Sequence, residues 1–145
     1  MLRPILTGVT LLALTGVVVA QSDVISTRRN VMKGVGAATR TGGQMAKGEI
    51  PFDLAKAQEI LKTYGHAAEV SHTYYPENAK TGGETTAAPK IWESPEEFKA
   101  RFVAWGKQIE TASGEVKDLP TFRASFTELT KACGGCHNTF RIKTS

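Results

Sequence analysis

The chain has 145 residues and a formal net charge of +4, since 18 lysines and arginines oppose 14 aspartates and glutamates. This mild excess of positive charge, without a dense basic run, does not favour nucleic-acid binding. The length predicts one domain with a single hydrophobic core. The chain has two cysteines, and their use at one site would leave no spare thiol, which suits an oxidising compartment.

Residues 1–20 have the features of a secretory signal peptide. Arg3 precedes an uncharged, largely apolar stretch over residues 5–19, and Ala20 is a small residue suited to cleavage. The stretch is shorter than the ~20 residues of a membrane-spanning helix. We therefore expect cleavage after Ala20 and no stable membrane insertion afterwards. Residues 21–145 then form the mature domain, with a net charge of +3 because Arg3 is the charged residue lost.

The first predicted helix runs from Asp23 to about Lys47. Ser22 or Asp23 can cap its start, and Gly48 with Pro51 ends it. Small residues near its C-terminal end leave room for close approach by a neighbouring helix or a ring. Residues at alternating spacings of three and four form one stripe of this helix: Ile25, Arg28, Met32, Val35, Thr39, Gly42 and Ala46.

The second predicted helix starts after Asp53, a suitable N-cap residue, and reaches about Val70. Gly65 within it costs about 1 kcal/mol relative to alanine. Residues 77–90 are rich in threonine, glycine, alanine and proline, and they predict a long surface loop. The stripe of the second helix has the same spacing: Leu54, Ala57, Leu61, Tyr64 and Ala68.

Two further helices are predicted in the C-terminal half. Ser94, Pro95 and Glu97 form a capping-box pattern at the start of the third helix, which ends near Gly114. Asp118 caps the fourth helix. The apolar stripe of the third helix comprises Phe98, Phe102, Trp105, Ile109 and Ala112, and that of the fourth comprises Phe122, Phe126, Leu129, Cys133, Cys136 and Phe140. Four amphipathic helices with little strand signal predict an all-α fold, an antiparallel four-helix bundle.

Cys133, Cys136 and His137 form the sequence C-x-x-C-H, which is the signature of covalent haem c attachment. Each thiol adds to one vinyl group of the haem, and the histidine ligates the iron. In a helix the three side chains fall within about one third of the circumference and face the same way. Gly134 and Gly135 add no bulk between the anchors, so the macrocycle can approach the backbone.

Other interpretations of this motif fit less well. A structural zinc site needs four ligands, usually with a second cysteine pair or paired histidines, and the chain has two cysteines. A thioredoxin-like redox pair belongs beside a βαβ pattern, and the sequence has no such pattern. A disulfide between cysteines three positions apart would close a very small loop and would stabilise little.

With these residues identified, the sequence resembles the cytochrome c′ family, the class II c-type cytochromes, over essentially the whole chain after the signal segment. The resemblance rests on these features: C-x-x-C-H at the end of a four-helix pattern, Phe140-Arg141 after it, Arg28 four residues before Met32, and Lys47-Gly48-Glu49-Ile50-Pro51-Phe52-Asp53. Class I cytochromes c carry the motif near the N-terminus instead. The resemblance implies one covalent haem c, with His137 as the proximal iron ligand.

The family divides on the sixth ligand of the iron. In cytochromes c′ proper an apolar residue stands there and the five-coordinate iron binds NO or CO, whereas a first-helix methionine ligates the iron in the low-spin c-556 type. Met32 stands at the matching position, so the resemblance implies His137/Met32 ligation. This pair stabilises reduced iron, although a core methionine that fills a gap is the common alternative. Met45 is expected to serve packing, and His66 and His72 to be solvated.

Two arginines are expected near the haem. Arg28 occupies the position at which the family pairs an arginine with a haem propionate, and the adjacent Arg29 can compete for that role. The alternative for Arg28 is a solvated arginine, for which an exposed ion pair contributes only ~0–1 kcal/mol. Arg141 lies one turn after His137, and the resemblance places it near the proximal face. There it can influence the hydrogen bonding of the histidine and the potential of the iron.

The sequence therefore predicts a periplasmic mono-haem cytochrome that transfers single electrons to redox partner proteins. It does not predict an enzyme or any catalytic residue, since a peroxidase would need a distal acid–base group beside an open iron site. The alternative function is a five-coordinate cytochrome that binds NO or CO. Relatives of this type are often dimers, so a homodimer is an open alternative, and nucleic acid is not an expected partner.

Overall fold

The computed structural model describes residues 15–81 and 83–143, with side chains from residue 23 onwards. Two short 3-10 turns follow the second helix, at Ser71–Thr73 and Glu77–Ala79. The α-helices in this part of the chain are α1 (Thr15–Lys47), α2 (Leu54–Val70), α3 (Lys90–Glu93), α4 (Pro95–Glu115) and α5 (Leu119–Phe140). Both α1 and α4 pack against α2 and α5, so the four long helices close around one core. The predicted all-α four-helix bundle is confirmed.

Two of the predicted helix starts are confirmed by hydrogen bonds at their caps. Asp53 accepts a bond from the Lys56 backbone N–H (3.0 Å) at the start of α2. Asp118 accepts one from the Thr121 N–H (2.9 Å), and the Thr121 hydroxyl accepts one in return from the Asp118 N–H (3.1 Å). These bonds satisfy backbone donors that the first turn of a helix leaves without partners.

The start of α1 differs from the prediction. The backbone is helical from Thr15, so α1 extends through the predicted cleavage site at Ala20 rather than beginning at Asp23. Residues 1–14 of the predicted signal segment lie outside the described part of the chain. In residues 15–81 and 83–143, no helix is long and apolar enough to cross a membrane.

The predicted capping box before α4 is wrong. Ser94 precedes α4, but its side chain makes no capping bond, and Glu97 pairs instead with Arg101 at 3.2 Å. The reason is the short helix α3, which sequence periodicity did not reveal. Ser94 also ends α3, where its N–H donates to the Lys90 carbonyl, and its backbone (φ −139°, ψ 60°) is therefore set by that ending.

The core contains most of the predicted stripe residues, with one clear exception. Leu54, the first residue of α2, is 43% exposed. The prediction that small residues on α1 admit a ring is confirmed at Gly42. A Cβ there would overlap the Phe126 ring of α5, so only glycine permits this approach. Met45 is fully buried in the core, as expected for a packing residue.

Candidate haem-binding site

The two cysteines lie on the inner side of α5. Cys133 and Cys136 are both free thiols, partly buried and packed against the hydrophobic core. The Cys133 Sγ donates to the Leu129 carbonyl at 3.3 Å. Burial raises the pKa of both thiols, so both are protonated at neutral pH. An activated redox cysteine has the opposite shift, whereas two inward thiols on one helix face suit covalent anchoring.

The remaining residues of the motif face outward or lie at the rim. Gly134 and Gly135 are exposed, and an added Cβ would meet nothing within 4 Å at either position, so protein packing does not require glycine. His137 is exposed as a whole residue. Partial burial of its imidazole, and then the positive charge of Arg141, lower the pKa of His137. The neutral imidazole, which is the form that binds iron, is favoured at neutral pH.

Met32 is partly buried on α1 and packs against the same core as Cys133 and Cys136. Because α1 and α5 are neighbours, the thioether and the attachment motif belong to adjacent walls of the bundle. His66 is exposed, as predicted. His72 is not simply solvated, since its ring lies 6.3 Å from that of Phe102 and its Nδ1 is buried without a hydrogen-bond partner among the described residues.

A polar pair in the core joins α1 to α2 beside the attachment motif. The Tyr64 hydroxyl lies 2.7 Å from Thr39 Oγ1, which donates onward to the Val35 carbonyl at 2.8 Å, so Tyr64 is the donor of the pair. Burial is the main cause that raises the pKa of Tyr64 to about 12. The bond to Thr39 lowers this pKa in part, and the nearby Cys133 raises it further. Sequence analysis placed both residues on apolar stripes but did not reveal that they pair.

Arg28 is buried, with 3% of its surface exposed, so the alternative of a solvated arginine is wrong. Its Nη1 donates to the carbonyl oxygens of Tyr74 (3.4 Å) and Ala79 (3.2 Å). Its Nη2 donates to Thr85 Oγ1 at 2.7 Å. Three of the five guanidinium N–H groups are thereby used. Pairing with a haem propionate through the others stays a prediction.

The neighbouring predicted arginine, Arg29, forms an exposed ion pair with Glu84 at 2.9 Å. Arg28 also lies over the ring of Tyr75, 4.7 Å from its centroid, and 5.9 Å from that of Trp92. Cation–π contacts of this kind stabilise the positive charge of a buried guanidinium. Burial nonetheless lowers the pKa of Arg28, and the nearby Tyr75 raises it by a smaller amount.

The predicted surface loop, residues 77–90, lies within a longer segment, residues 74–81 and 83–93, here called the strap. It buries Ala79 completely and includes α3 at its C-terminal end. Arg141 joins it through an isolated antiparallel bridge to Ala87 and a 3.3 Å bond from Nε to Thr86 Oγ1. Arg141 therefore lies close to His137, as expected, but its side chain binds the strap. Its predicted influence on the iron stays a prediction.

These residues fit a haem covalently held at Cys133 and Cys136. The walls near the thiols are aromatic, which suits a flat apolar macrocycle: Phe98 lies 4.8 Å from Tyr75, 5.2 Å from Phe102 and 5.1 Å from Phe140 between ring centroids. Within the described residues no carboxylate forms an ion pair with the buried cation Arg28. A buried charge of this kind favours an anionic partner, and haem propionates carry such charges.

Comparisons with known proteins agree with this arrangement. The family model described as cytochrome C′ matches residues 23–141. The chain is 36% identical to a cytochrome c′ of Rhodopseudomonas palustris over 131 residues, which cover 90% of each protein. It is 31% identical to a cytochrome c-556 of the same organism over 147 residues, which cover 99% of each.

Solved structures show the same similarity. Cytochrome c′ from Rhodopseudomonas palustris superposes with a TM-score of 0.82 and 35% identity, and the match covers 85% of this chain and 98% of that one. An NMR-validated structural model of oxidised cytochrome c556 from the same organism gives a TM-score of 0.77 and 29% identity. That match covers 86% of this chain and 99% of the other.

Proposed function

Because the chain belongs to the cytochrome c′ family, whose members bind one covalent haem c, we propose that it is a periplasmic electron carrier with His137/Met32 ligation. Proteins of this family are periplasmic. In this proposal residues 1–20 are the cleaved export signal and residues 21–145 form the haem domain. The observation that supports it most is Met32, partly buried against the same core as the two attachment cysteines.

Each residue of the site has a distinct part in this function. The haem, when bound, supplies an iron that takes up and gives back one electron. Cys133 and Cys136 hold the group covalently, so it is not lost to dilution outside the cytoplasm. His137 offers a neutral imidazole, because burial and Arg141 lower its pKa. Met32 offers a soft thioether, which favours reduced iron and raises the potential.

A bound sixth ligand also bears on catalysis. If His137 and Met32 both ligated the iron, no coordination position would be left open, so no catalytic residue is proposed and the proposed role is that of an electron carrier rather than an enzyme. Transfer to a partner protein needs a transient contact of modest area. The redox partners are not specified by this proposal. Members of the family are often homodimers, and a homodimer stays a prediction for this chain.

A five-coordinate cytochrome that binds NO or CO is the second candidate function. It is supported by the cytochrome c′ relative, which has the higher identity of the two relatives compared above. In this alternative Met32 is a packing residue beside an open iron position. The two functions therefore make opposite predictions for the Met32 thioether.

Absorption spectra of the purified holoprotein, oxidised and reduced, with and without CO, test the proposal. We expect a low-spin spectrum with a sulfur-to-iron charge-transfer band that CO leaves unaltered. Met32→Ala should abolish the band and admit CO. Met45→Leu is the matched control, because Met45 is the other methionine of the mature chain and lies wholly in the core.

The outcomes separate the two functions. Loss of the band in Met32→Ala together with its retention in Met45→Leu supports electron transfer through Met32. A high-spin wild-type spectrum that shifts with CO would exclude Met32 ligation, and gas binding would replace electron transfer as the proposed function.

A further inference from the structure

The main attachment of the strap to α1 lies four positions before Met32, next to the exposed ion pair between Arg29 and Glu84. The attached residue is Arg28, whose guanidinium bonds the strap at Tyr74, Ala79 and Thr85. Hydrogen bonds to a charged donor are stronger than those between neutral groups, and the fork of the guanidinium fixes direction as well as distance. The strap therefore restricts where this turn of α1 lies.

The same strap is attached to α5 just after His137. The Ala88 N–H donates to the Phe140 carbonyl at 3.0 Å, and the Ile142 N–H donates to the Thr86 carbonyl at 2.8 Å. Phe140 is three residues beyond His137, so these bonds restrain the last turn of α5. They also restrain the strap itself at backbone positions that no side-chain substitution removes.

The two attachments meet within four residues of the strap. Thr85 binds Arg28 of α1, while Thr86 and Ala88 bind the end of α5. Thr85 also holds the strap in shape, because its Oγ1 accepts the Ala87 N–H at 3.1 Å. Residues 85–88 thus form a short bridge between the turn of α1 that precedes Met32 and the turn of α5 that follows His137.

We infer that Arg28 and Thr85 are positioning residues that set the separation of α1 and α5 across the haem and thereby control access to the sixth iron position. The inference rests on the proposed function for its expected starting state, in which Met32 occupies that position. With the bridge intact, the Met32 thioether is held at ligating distance. With the bridge broken, α1 gains freedom, the thioether dissociates more often and an external ligand enters faster.

A role through charge alone is the rival explanation for Arg28, since a guanidinium can also pair with a propionate. Thr85 distinguishes the two, because its hydroxyl carries no charge and is bonded to Arg28 and to the strap backbone. Replacing Thr85 leaves the charge of Arg28 in place while removing the bond that connects α1 to the bridge.

The test measures CO association with the reduced holoprotein and the sulfur-to-iron band of the oxidised holoprotein. The variants are Thr85→Val, Arg28→Lys and Arg28→Gln, with Thr85→Ser as the conservative rescue. Thr111→Val on α4 is the matched control, because its hydroxyl bonds only the Lys107 carbonyl of its own helix among the bonds described. Haem content and thermal unfolding of each variant are measured in parallel.

We expect the rate of CO association to rise about tenfold in Thr85→Val, because this variant loses one hydrogen bond to a charged donor. The rate should rise at least as much in Arg28→Lys and Arg28→Gln. In Thr85→Ser and Thr111→Val it should equal the rate of the wild type. If CO associates with Thr85→Val and Thr111→Val at the same rate, the positioning role is wrong. An effect confined to Arg28→Gln, with Arg28→Lys normal, would also overturn it and assign charge alone to Arg28.

Failure of the proposed function is recognised separately. A wild-type protein without the sulfur-to-iron band excludes Met32 ligation, but CO association still reports access to the iron in each variant. Faster CO association in Thr85→Val would then support the bridge in a five-coordinate protein. Should Thr85→Val fail to retain haem, Arg28→Lys and Thr85→Ser provide the comparison in its place.

Discussion

The attachment side of the haem site, on α5, is local in sequence, whereas the opposite side, on α1, depends on contacts between residues 46 to 57 positions apart. Cys133, Cys136 and His137 need only one turn of a regular helix to face together. Met32 is placed by the packing of α1 against its neighbours and by the strap that Arg28 binds. We therefore expect attachment at the cysteines to be robust to changes elsewhere, and the proposed ligation by Met32 to be sensitive to them.

The largest effect is expected from removing the two attachment cysteines of α5. A variant with both Cys133→Ala and Cys136→Ala should lose its haem on extraction with acidified organic solvent, because no thioether remains. Its unfolding midpoint should also depend on haem concentration, since a dissociable ligand stabilises by mass action. Gly114→Ala on α4, outside the attachment motif, is the control, as an added Cβ meets nothing there. Haem that resists extraction from the double variant would contradict this assignment.

An intermediate effect is expected where α1 touches α5. Gly42→Ala drives a Cβ into the Phe126 ring, which Phe122 supports at 5.3 Å, so we expect a loss of about 1–3 kcal/mol in unfolding free energy. Gly43→Ala, one residue along, meets nothing within 4 Å and should instead stabilise by about 0.5–1 kcal/mol. Urea unfolding of the holoproteins measures the change in unfolding free energy for each variant. Changes of the same sign in Gly42→Ala and Gly43→Ala would show that α1 and α5 do not approach each other at Gly42.

The smallest effect is expected at the polar pair between α1 and α2. Tyr64→Phe removes the bond to Thr39 and should cost about 1 kcal/mol at neutral pH. The pKa of Tyr64, about 12 when folded, exceeds its usual value near 10, so its contribution is full below pH 10 and is lost as pH rises towards 12.

Unfolding measured across this pH range checks the prediction for Tyr64. The wild type should lose stability more steeply between pH 10 and 12 than Tyr64→Phe does. An identical loss of stability above pH 10 in Tyr64→Phe and the wild type would contradict the raised pKa of Tyr64.

Sequence patterns predicted the parts of the fold that depend on neighbours along the chain. The stripes of α2, α4 and α5 follow helical periodicity, and Asp53 and Asp118 cap helices with their own following residues. The attachment motif is local in the same sense. For this reason spacing and family resemblance suffice to predict its three residues as the haem attachment site.

The parts that were not predicted depend on tertiary contacts. Ser94 has the sequence of a capping residue, but its backbone is set by α3, a helix too short to show periodicity. The strap has a loop composition, yet Arg28 of α1 donates to its backbone carbonyls at Tyr74 and Ala79. Nothing in the spacing of residues 77–90 specifies which distant side chain will satisfy those groups.

X-ray absorption at the iron K edge measures the proposed ligation of the iron by Met32 and His137 most directly. We expect a single sulfur scatterer in the coordination sphere of the oxidised and reduced holoprotein, lost in Met32→Ala and retained in Met45→Leu. A wild-type coordination sphere of nitrogen ligands alone, unchanged in Met32→Ala, would contradict it.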